Sequence, residues 1–301
     1  MEYKLVTGAN DFYILTLLNF INNYIEMGLN LKNLVIYDLG LNTGNLQKIQ
    51  NLLKCNNNIK KLNYDEYPEH VDLKKYNGLF CSYAFKPIIM YNECNTDNNI
   101  ITIWLDCACK ITIISLKELI NTILKQGFYC PIGNYEKTIE TIELNHPQTI
   151  NLLGITQYQH YNELQTRLAC ICGVLYNNFN GKTILDEWYK YSLIKDIIIP
   201  INSSRNNHRQ DQTVLSCIIF LHEKKYDIEF EKSSFNISSW NKVDKLSIEN
   251  NYYKFGLFKK YRNTQLAIIY ATTLDEAIKI YYTRKNILST NFLNEFYVLQ
   301  L

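Results

Sequence analysis

An acid ends an apolar run in this chain: Ile100-Ile101-Thr102-Ile103-Trp104-Leu105 leads straight into Asp106. A run of that length and character predicts a buried strand. In an α/β sheet such a strand carries the next residue to the C-terminal edge, where open sheets bind ligands. A carboxylate placed there can face a cation, orient a hydroxyl or hold a metal. A second group of capable residues stands well downstream, in Asn207-His208-Arg209-Gln210-Asp211-Gln212, where imidazole, guanidinium, carboxylate and amide crowd into one polar loop before an apolar helix. Asp211 also suits the plain role of a helix N-cap. A third feature is Lys86, beside Pro87 at a predicted helix start, where backbone N–H groups favour anions.

The elements that must position these residues alternate. Leu5-Val6 reads as a strand ending in a turn at Thr7-Gly8-Ala9-Asn10, followed by a helix over 11–27 with Ile14, Leu17, Leu18, Ile21 and Ile25 on one side. A strand at 34–37, a helix over 45–53, a short strand near Leu62, a helix over 87–93, the strand ending at Leu105 and a helix over 116–125 come next. A second block starts near His146, with a strand over 167–175 and helices over 183–193 and 211–221. This alternation predicts a mainly parallel sheet flanked by helices. After Lys224 the pattern changes to the aromatic run Tyr252-Tyr253-Lys254-Phe255, a strand over 266–270, a helix over 274–284 and a final strand over 296–299. That is the pattern of a small α+β appendage. The expected organisation is therefore residues 1–225 as one large domain and 226–301 as an extension.

Composition narrows the classes. Of 301 residues, 47% are hydrophobic and 20% charged, enough to fill a large core. Lys and Arg number 31 against 29 acids, so the net charge of +2 gives no electrostatic footprint for nucleic acid. Nine cysteines sit largely inside apolar runs with no CxxC pair, and Cys107/Cys109 and Cys170/Cys172 read as buried thiols ahead of a zinc cluster. The opening residues carry no secretory signal and no apolar run approaches the ~20 residues of a membrane span, so a cytoplasmic protein without a transmembrane segment is expected.

In order along the chain, four motifs resemble those of the GT-A-fold glycosyltransferases, the glycogenin-like sugar transferases in particular. They are Leu5-Val6-Thr7-Gly8-Ala9-Asn10, Tyr83-x-Phe85-Lys86, Ile103-Trp104-Leu105-Asp106-x-Ala108 and Arg209-x-Asp211-Gln212-x-x-Leu215, and the likeness spans most of residues 1–222. The resemblance implies an α/β, Rossmann-like GT-A fold and transfer of a sugar from a nucleotide-diphosphate donor to a hydroxyl of a glycan, protein or small molecule. It implies that Thr7, Gly8 and Asn10 line the base pocket, that Lys86 and Arg209 lie near the diphosphate, and that Asp211 and Gln212 act on the donor sugar. It also implies a divalent cation, Mn²⁺ or Mg²⁺, on Asp106 and His208. Ala108 replaces the second acid of the family's Asp-x-Asp, and the family's downstream His-x-Gly-x-x-Lys-Pro-Trp segment is missing. His208 and His222 are left as substitutes, His208 the better placed. The C-terminal extension would shape an acceptor site or mediate homo-oligomer formation.

Two other readings compete. Tyr37-Asp38-Leu39-Gly40-Leu41-Asn42-Thr43-Gly44 follows a strand and precedes a helix, as does the adenosylmethionine loop of Rossmann-like methyltransferases, with Asp65 placed for a ribose. Asn42 stands where that family has its middle glycine, and the Asp211-Gln212 segment is left without a role. The other reading is a non-catalytic GT-A-like protein that binds a nucleotide sugar or glycan without turnover.

Overall fold

A computed structural model describes residues 2–54, 58–73, 81–133, 144–159, 161–239, 253–259, 264–271 and 296–300. The chain packs as two units, 1–239 and 240–301. In the first unit the strands are β1 (Tyr3–Ala9), β2 (Leu34–Asp38), β3 (Ile59–Lys61), β4 (Ile101–Leu105), β5 (Cys109–Lys110), β6 (Phe128–Tyr129), β7 (Ile171–Leu175) and β8 (Ser238–Ser239). The helices are α1 (Ile14–Glu26), α2 (Thr43–Leu53), α3 (Phe85–Thr96), α4 (Ile113–Gln126), α5 (Pro147–Leu152), α6 (Phe179–Ser192), α7 (Lys195–Ile198) and α8 (Asp211–Tyr226).

Six strands form the central sheet in the order β3-β2-β1-β4-β7-β6. β3, β2, β1 and β4 run parallel, and β7 is antiparallel to both β4 and β6. The fold is thus α/β with a mixed, mostly parallel sheet flanked by helices. Every residue of β2 and β4 is buried, as strands covered on both faces must be. The period-2 pleat sorts their side chains. Val35, Val6, Trp104 and Cys172 lie in one row across the sheet and join the core shared with Ile88, Ile89, Leu185, Trp188, Leu215 and Ile218 of α3, α6 and α8. The next row includes Ile103 and Gly173, against which α4 packs Ile123; a Cβ on Gly173 would lie 2.1 Å from Ile123 Cδ1, so a side chain there would force Ile123 to move.

The strand order reverses at β1. β2 and β3 lie to one side of it and β4 to the other, so the β1/β4 boundary is the switch point where open sheets form a ligand crevice. The register sharpens this. Pairing of β1 with β4 ends at Val6↔Trp104, while β1 continues to Ala9 paired only with β2. Thr7, Gly8 and Ala9 are therefore strand, not the turn that their glycine suggested, because β2 supplies a complete parallel partner. They form one lip of the crevice and the end of β4 forms the other. The second-block strand is likewise shorter than expected: β7 starts at Ile171, and Arg167 makes only an isolated bridge with Ile132.

Residues 226–239 belong with the first unit, where β8 pairs antiparallel with β5 through Cys109↔Ser239. In the second unit β9 (Tyr253–Lys259), β10 (Thr264–Ala271) and β11 (Phe296–Gln300) form an antiparallel sheet in the order β10-β9-β11. The helix expected over 274–284 and Tyr252 of the aromatic run lie outside the described residues. The eight described cysteines are free thiols, seven of them buried. Among the described residues no helix is long and apolar enough to cross a membrane.

Candidate active site

Asp106 follows β4 directly and its aim is fixed from three directions. Its backbone N–H donates to Cys170 O at 2.9 Å, its carbonyl accepts from Cys109 N at 2.8 Å, and its Oδ1 accepts from Trp104 Nε1 at 2.7 Å. Lys86 is the second residue of α3, which starts at Phe85 and not at Pro87. The turn that feeds this helix is pinned by Ser82, whose Oγ donates to His70 O at 2.7 Å and accepts from Ala84 N at 3.1 Å. The ammonium so placed lies 3.0 Å from Asp106 Oδ1 and 3.3 Å from its Oδ2.

Asp211 completes the cluster, with Oδ2 3.6 Å from Lys86 Nζ. It is the first residue of α8 and not its cap. That place belongs to Gln210, whose φ of 44° and ψ of −118° is a backbone conformation that L residues rarely adopt. Trp188 Nε1 donates to the Asp211 carbonyl at 3.0 Å and so ties α8 to α6. The side chains of Lys86 and Asp211 are 8% and 5% exposed, whereas that of Asp106 is 34% exposed. One acid therefore faces the solvent side of the cluster and the other lies inside it.

Burial sets the charges. It works against a charged Lys86, but the neighbouring Asp106 and Asp211 outweigh it and hold the ammonium well above the usual lysine range. Burial also pushes Asp211 up to about 7, with Asp106 adding to the rise while Lys86 opposes it. Asp211 Oδ2 is buried and has no hydrogen bond. Near neutral pH this carboxyl is thus poised between two protonation states, as acid–base groups of working sites commonly are.

Of the other residues singled out in the sequence, Thr7, Gly8 and Asn10 stand on the β1 lip. Thr7 is fully buried, and Thr7 Oγ1 and Asn10 Oδ1 are buried polar atoms without a hydrogen-bond partner. Arg209 and Gln212 flank Asp211; Arg209 N donates to Thr213 Oγ1 at 3.0 Å and its carbonyl accepts from Gln212 N at 2.9 Å. His208 sits elsewhere. It is fully buried, its Nε2–H donates to Ile198 O at 3.0 Å, and its Nδ1 accepts from His146 N at 3.4 Å. Both ring nitrogens are engaged by backbone, and burial pushes the imidazole down to about 4. His222 is buried as well, with Nε2 3.0 Å from Asn180 Oδ1.

These placements do not fit the divalent cation that the resemblance implies. The oxygens of Asp106 face an ammonium and an indole N–H, and His208 has no nitrogen to offer. Among the described residues no three His, Cys, Asp or Glu side chains gather to hold an ion. The methyltransferase loop is also spent locally. Asp38 Oδ1 accepts from Gly40 N at 2.9 Å and Leu41 N at 2.7 Å, Asn42 caps α2 through Asn45 N, and Asp65 lies in a 3₁₀ turn over Tyr64–Glu66.

Sequence reasoning passed over Arg205. Its Nη2 donates to the Tyr83 hydroxyl at 2.5 Å, and Lys86 Nζ lies 5.4 Å from the centroid of the same ring. A lone arginine among Ser and Asn residues, just ahead of the Asp211 loop, was the available signal.

No family model matches the chain, and no curated protein sequence matches it. Among solved structures the chain is similar to galactosyltransferase LgtC in complex with donor and acceptor sugar analogs, at 16% identity and a TM-score of 0.40 over 71% of this chain and 70% of that one. It is similar to an active-site mutant of LgtC at 14% identity and a TM-score of 0.42, over 71% of this chain and 69% of that one. It is also similar to the WbbM bifunctional glycosyltransferase apo structure at 12% identity and a TM-score of 0.42, over 72% of this chain and 37% of that one.

Proposed function

We propose that the chain is a glycosyltransferase that moves a sugar from a nucleotide-diphosphate donor to a hydroxyl acceptor. The observation that carries this reading is the Lys86 ammonium held between Asp106 and Asp211 beside the β1/β4 switch point. The donor lies across the crevice, its base over the β1 lip at Gly8 and Asn10, beneath which Thr7 is buried, and its diphosphate toward the end of β4. As the glycosidic bond breaks, its electron pair leaves with the diphosphate oxygen and positive charge grows on the anomeric carbon. Asp211 as the anion stabilises that charge, and Gln212 holds sugar hydroxyls through its amide. Lys86 keeps Asp211 aimed, and Asp106, the half-buried acid on the solvent side, accepts from hydroxyls of the donor. The hydroxyl oxygen of the acceptor, a glycan, protein or small molecule, bonds to the anomeric carbon as its proton passes to the departing diphosphate oxygen.

The test is a thermal-shift screen with nucleotide sugars and adenosylmethionine, followed by hydrolysis of the donor that binds. One nucleotide-sugar series is expected to raise the melting temperature, since a ligand of the folded state stabilises it by mass action. Asp211→Asn is expected to stop sugar release while leaving nucleoside-diphosphate binding in place. A shift with adenosylmethionine alone would replace the reading with methyl transfer.

A further inference from the structure

The charge of Lys86 is matched by two acids, so a diphosphate entering beside it meets no cationic surplus from that residue. The unmatched positive charge lies one aromatic ring away. Arg205 is exposed, stands in the loop between α7 and α8, and donates Nη2–H to the neutral phenol of Tyr83 at 2.5 Å. No carboxylate pairs with it among the described residues. Tyr83 links it to the cluster: the hydroxyl accepts from Arg205, the ring centroid lies 5.4 Å from Lys86 Nζ, and that ammonium is 3.0 Å from Asp106 Oδ1.

The loop is built to hold this cation. His208 anchors its end in the core through Ile198 O. Ser204 N donates to Asn207 Oδ1 at 2.7 Å, Asn207 Nδ2 donates to Asn202 O at 3.2 Å, and His208 N donates to Ser204 O at 2.8 Å. Arg205 and Asn206 are left at the tip of a closed turn. Tyr83 is held as firmly, with a φ of 53° that a bulky residue adopts only where its surroundings impose it. A guanidinium presents a planar fork of donors that suits two phosphate oxygens, and its charge-assisted bonds to phosphate are stronger than one to a neutral phenol.

We infer that Arg205 receives the phosphate groups of the nucleotide, exchanging the Tyr83 hydroxyl for phosphate oxygens, with Tyr83 as its resting latch. The inference rests on the nucleotide-sugar reading above. The test is calorimetric titration of the full chain and of Arg205→Ala, Arg205→Lys and Tyr83→Phe with uridine, guanosine and adenosine diphosphates and with inorganic pyrophosphate. Wild type is expected to bind one diphosphate and pyrophosphate. Arg205→Ala should weaken both by about tenfold or more with an unchanged melting temperature of the free protein, and Arg205→Lys should recover part of the loss. Tyr83→Phe should leave diphosphate binding as tight or tighter, because the competing phenol is gone; weakening there would overturn the latch. Equal diphosphate affinity in wild type and Arg205→Ala would overturn the role of Arg205 and leave the transferase reading standing. If no nucleoside diphosphate binds wild type, both fall.

Discussion

Trp104 and Asp106 are two residues apart, and the indole Nε1–H of the first donates to Oδ1 of the second at 2.7 Å. The buried strand thus carries the device that aims the acid at its end. Trp104 is 1% exposed, so the bond forms at the boundary between core and crevice. Trp104→Phe keeps most of the bulk and removes the donor. It is expected to cost about 1–3 kcal/mol in urea unfolding and to weaken nucleoside-diphosphate binding. Unchanged binding at lowered stability would make the indole a packing residue alone.

Lys86 and Asp211 should be energetically coupled. Removing Lys86 leaves the buried Asp211 carboxyl without its cation, while removing Asp211 leaves Lys86 with Asp106 alone. Lys86→Met and Asp211→Asn are each expected to destabilise the fold, and the double variant by less than the sum, with a coupling of about 1–3 kcal/mol from the urea midpoints of a double-mutant cycle. Additive losses would show that the ion pair contributes nothing beyond each residue's own packing.

The raised Asp211 predicts a pH dependence of defined sign. Its carboxyl titrates near 7 when folded against a model value of 3.8, so between these values the folded state binds more proton than the unfolded one. Stability from this group is full below the unfolded pKa and is lost as pH rises through about 7. His208 works in the opposite sense: it is pushed down to about 4 from 6.5, so its contribution is present above 6.5 and lost as pH falls through about 4. The clean measurement is the stability difference between wild type and Asp211→Asn from pH 4 to 8. It should change by on the order of 3 kcal/mol across that range in favour of wild type at low pH. A flat difference would place the Asp211 carboxyl at an ordinary pKa.

His208 and divalent metal can be tested together. His208→Ala should cost about 2 kcal/mol or more, since it opens a hole and strands the Ile198 carbonyl and the His146 N–H, yet leave nucleotide affinity per folded molecule unchanged. Chelation with EDTA should likewise leave nucleoside-diphosphate binding in place, because the Lys86 ammonium 3.0 Å from Asp106 already meets that carboxylate's charge. Binding that disappears with EDTA and returns with Mn²⁺ would make Asp106 a metal ligand.

Hydrophobic period and strand-to-acid punctuation were enough to find β4, Asp106, the flanking helices and the polar loop before α8, because these are local properties of the chain. The same locality explains the misses. Thr7-Gly8-Ala9 reads as a turn until β2 is alongside, and the α3 start slips past Lys86 because Pro87 looks like the first helical residue. The antiparallel β7 is not legible locally, because its direction depends on how the chain returns to the sheet after β6, across the long 130–170 connection.

What the sequence by itself determined is the inventory: an α/β alternation, one acid at a strand end, a lysine at a helix start and an acid before an apolar helix. Only the tertiary structure decided what those residues do to one another. Packing α3 and α8 on the same sheet face brings Lys86 between Asp106 and Asp211, and the burial this imposes raises the Asp211 carboxyl to about 7. It also turns His208 into a core residue and brings Arg205 onto Tyr83 at the site's rim, across 122 positions of chain. Charge and desolvation depend on distances through space, and those are set when the helices dock.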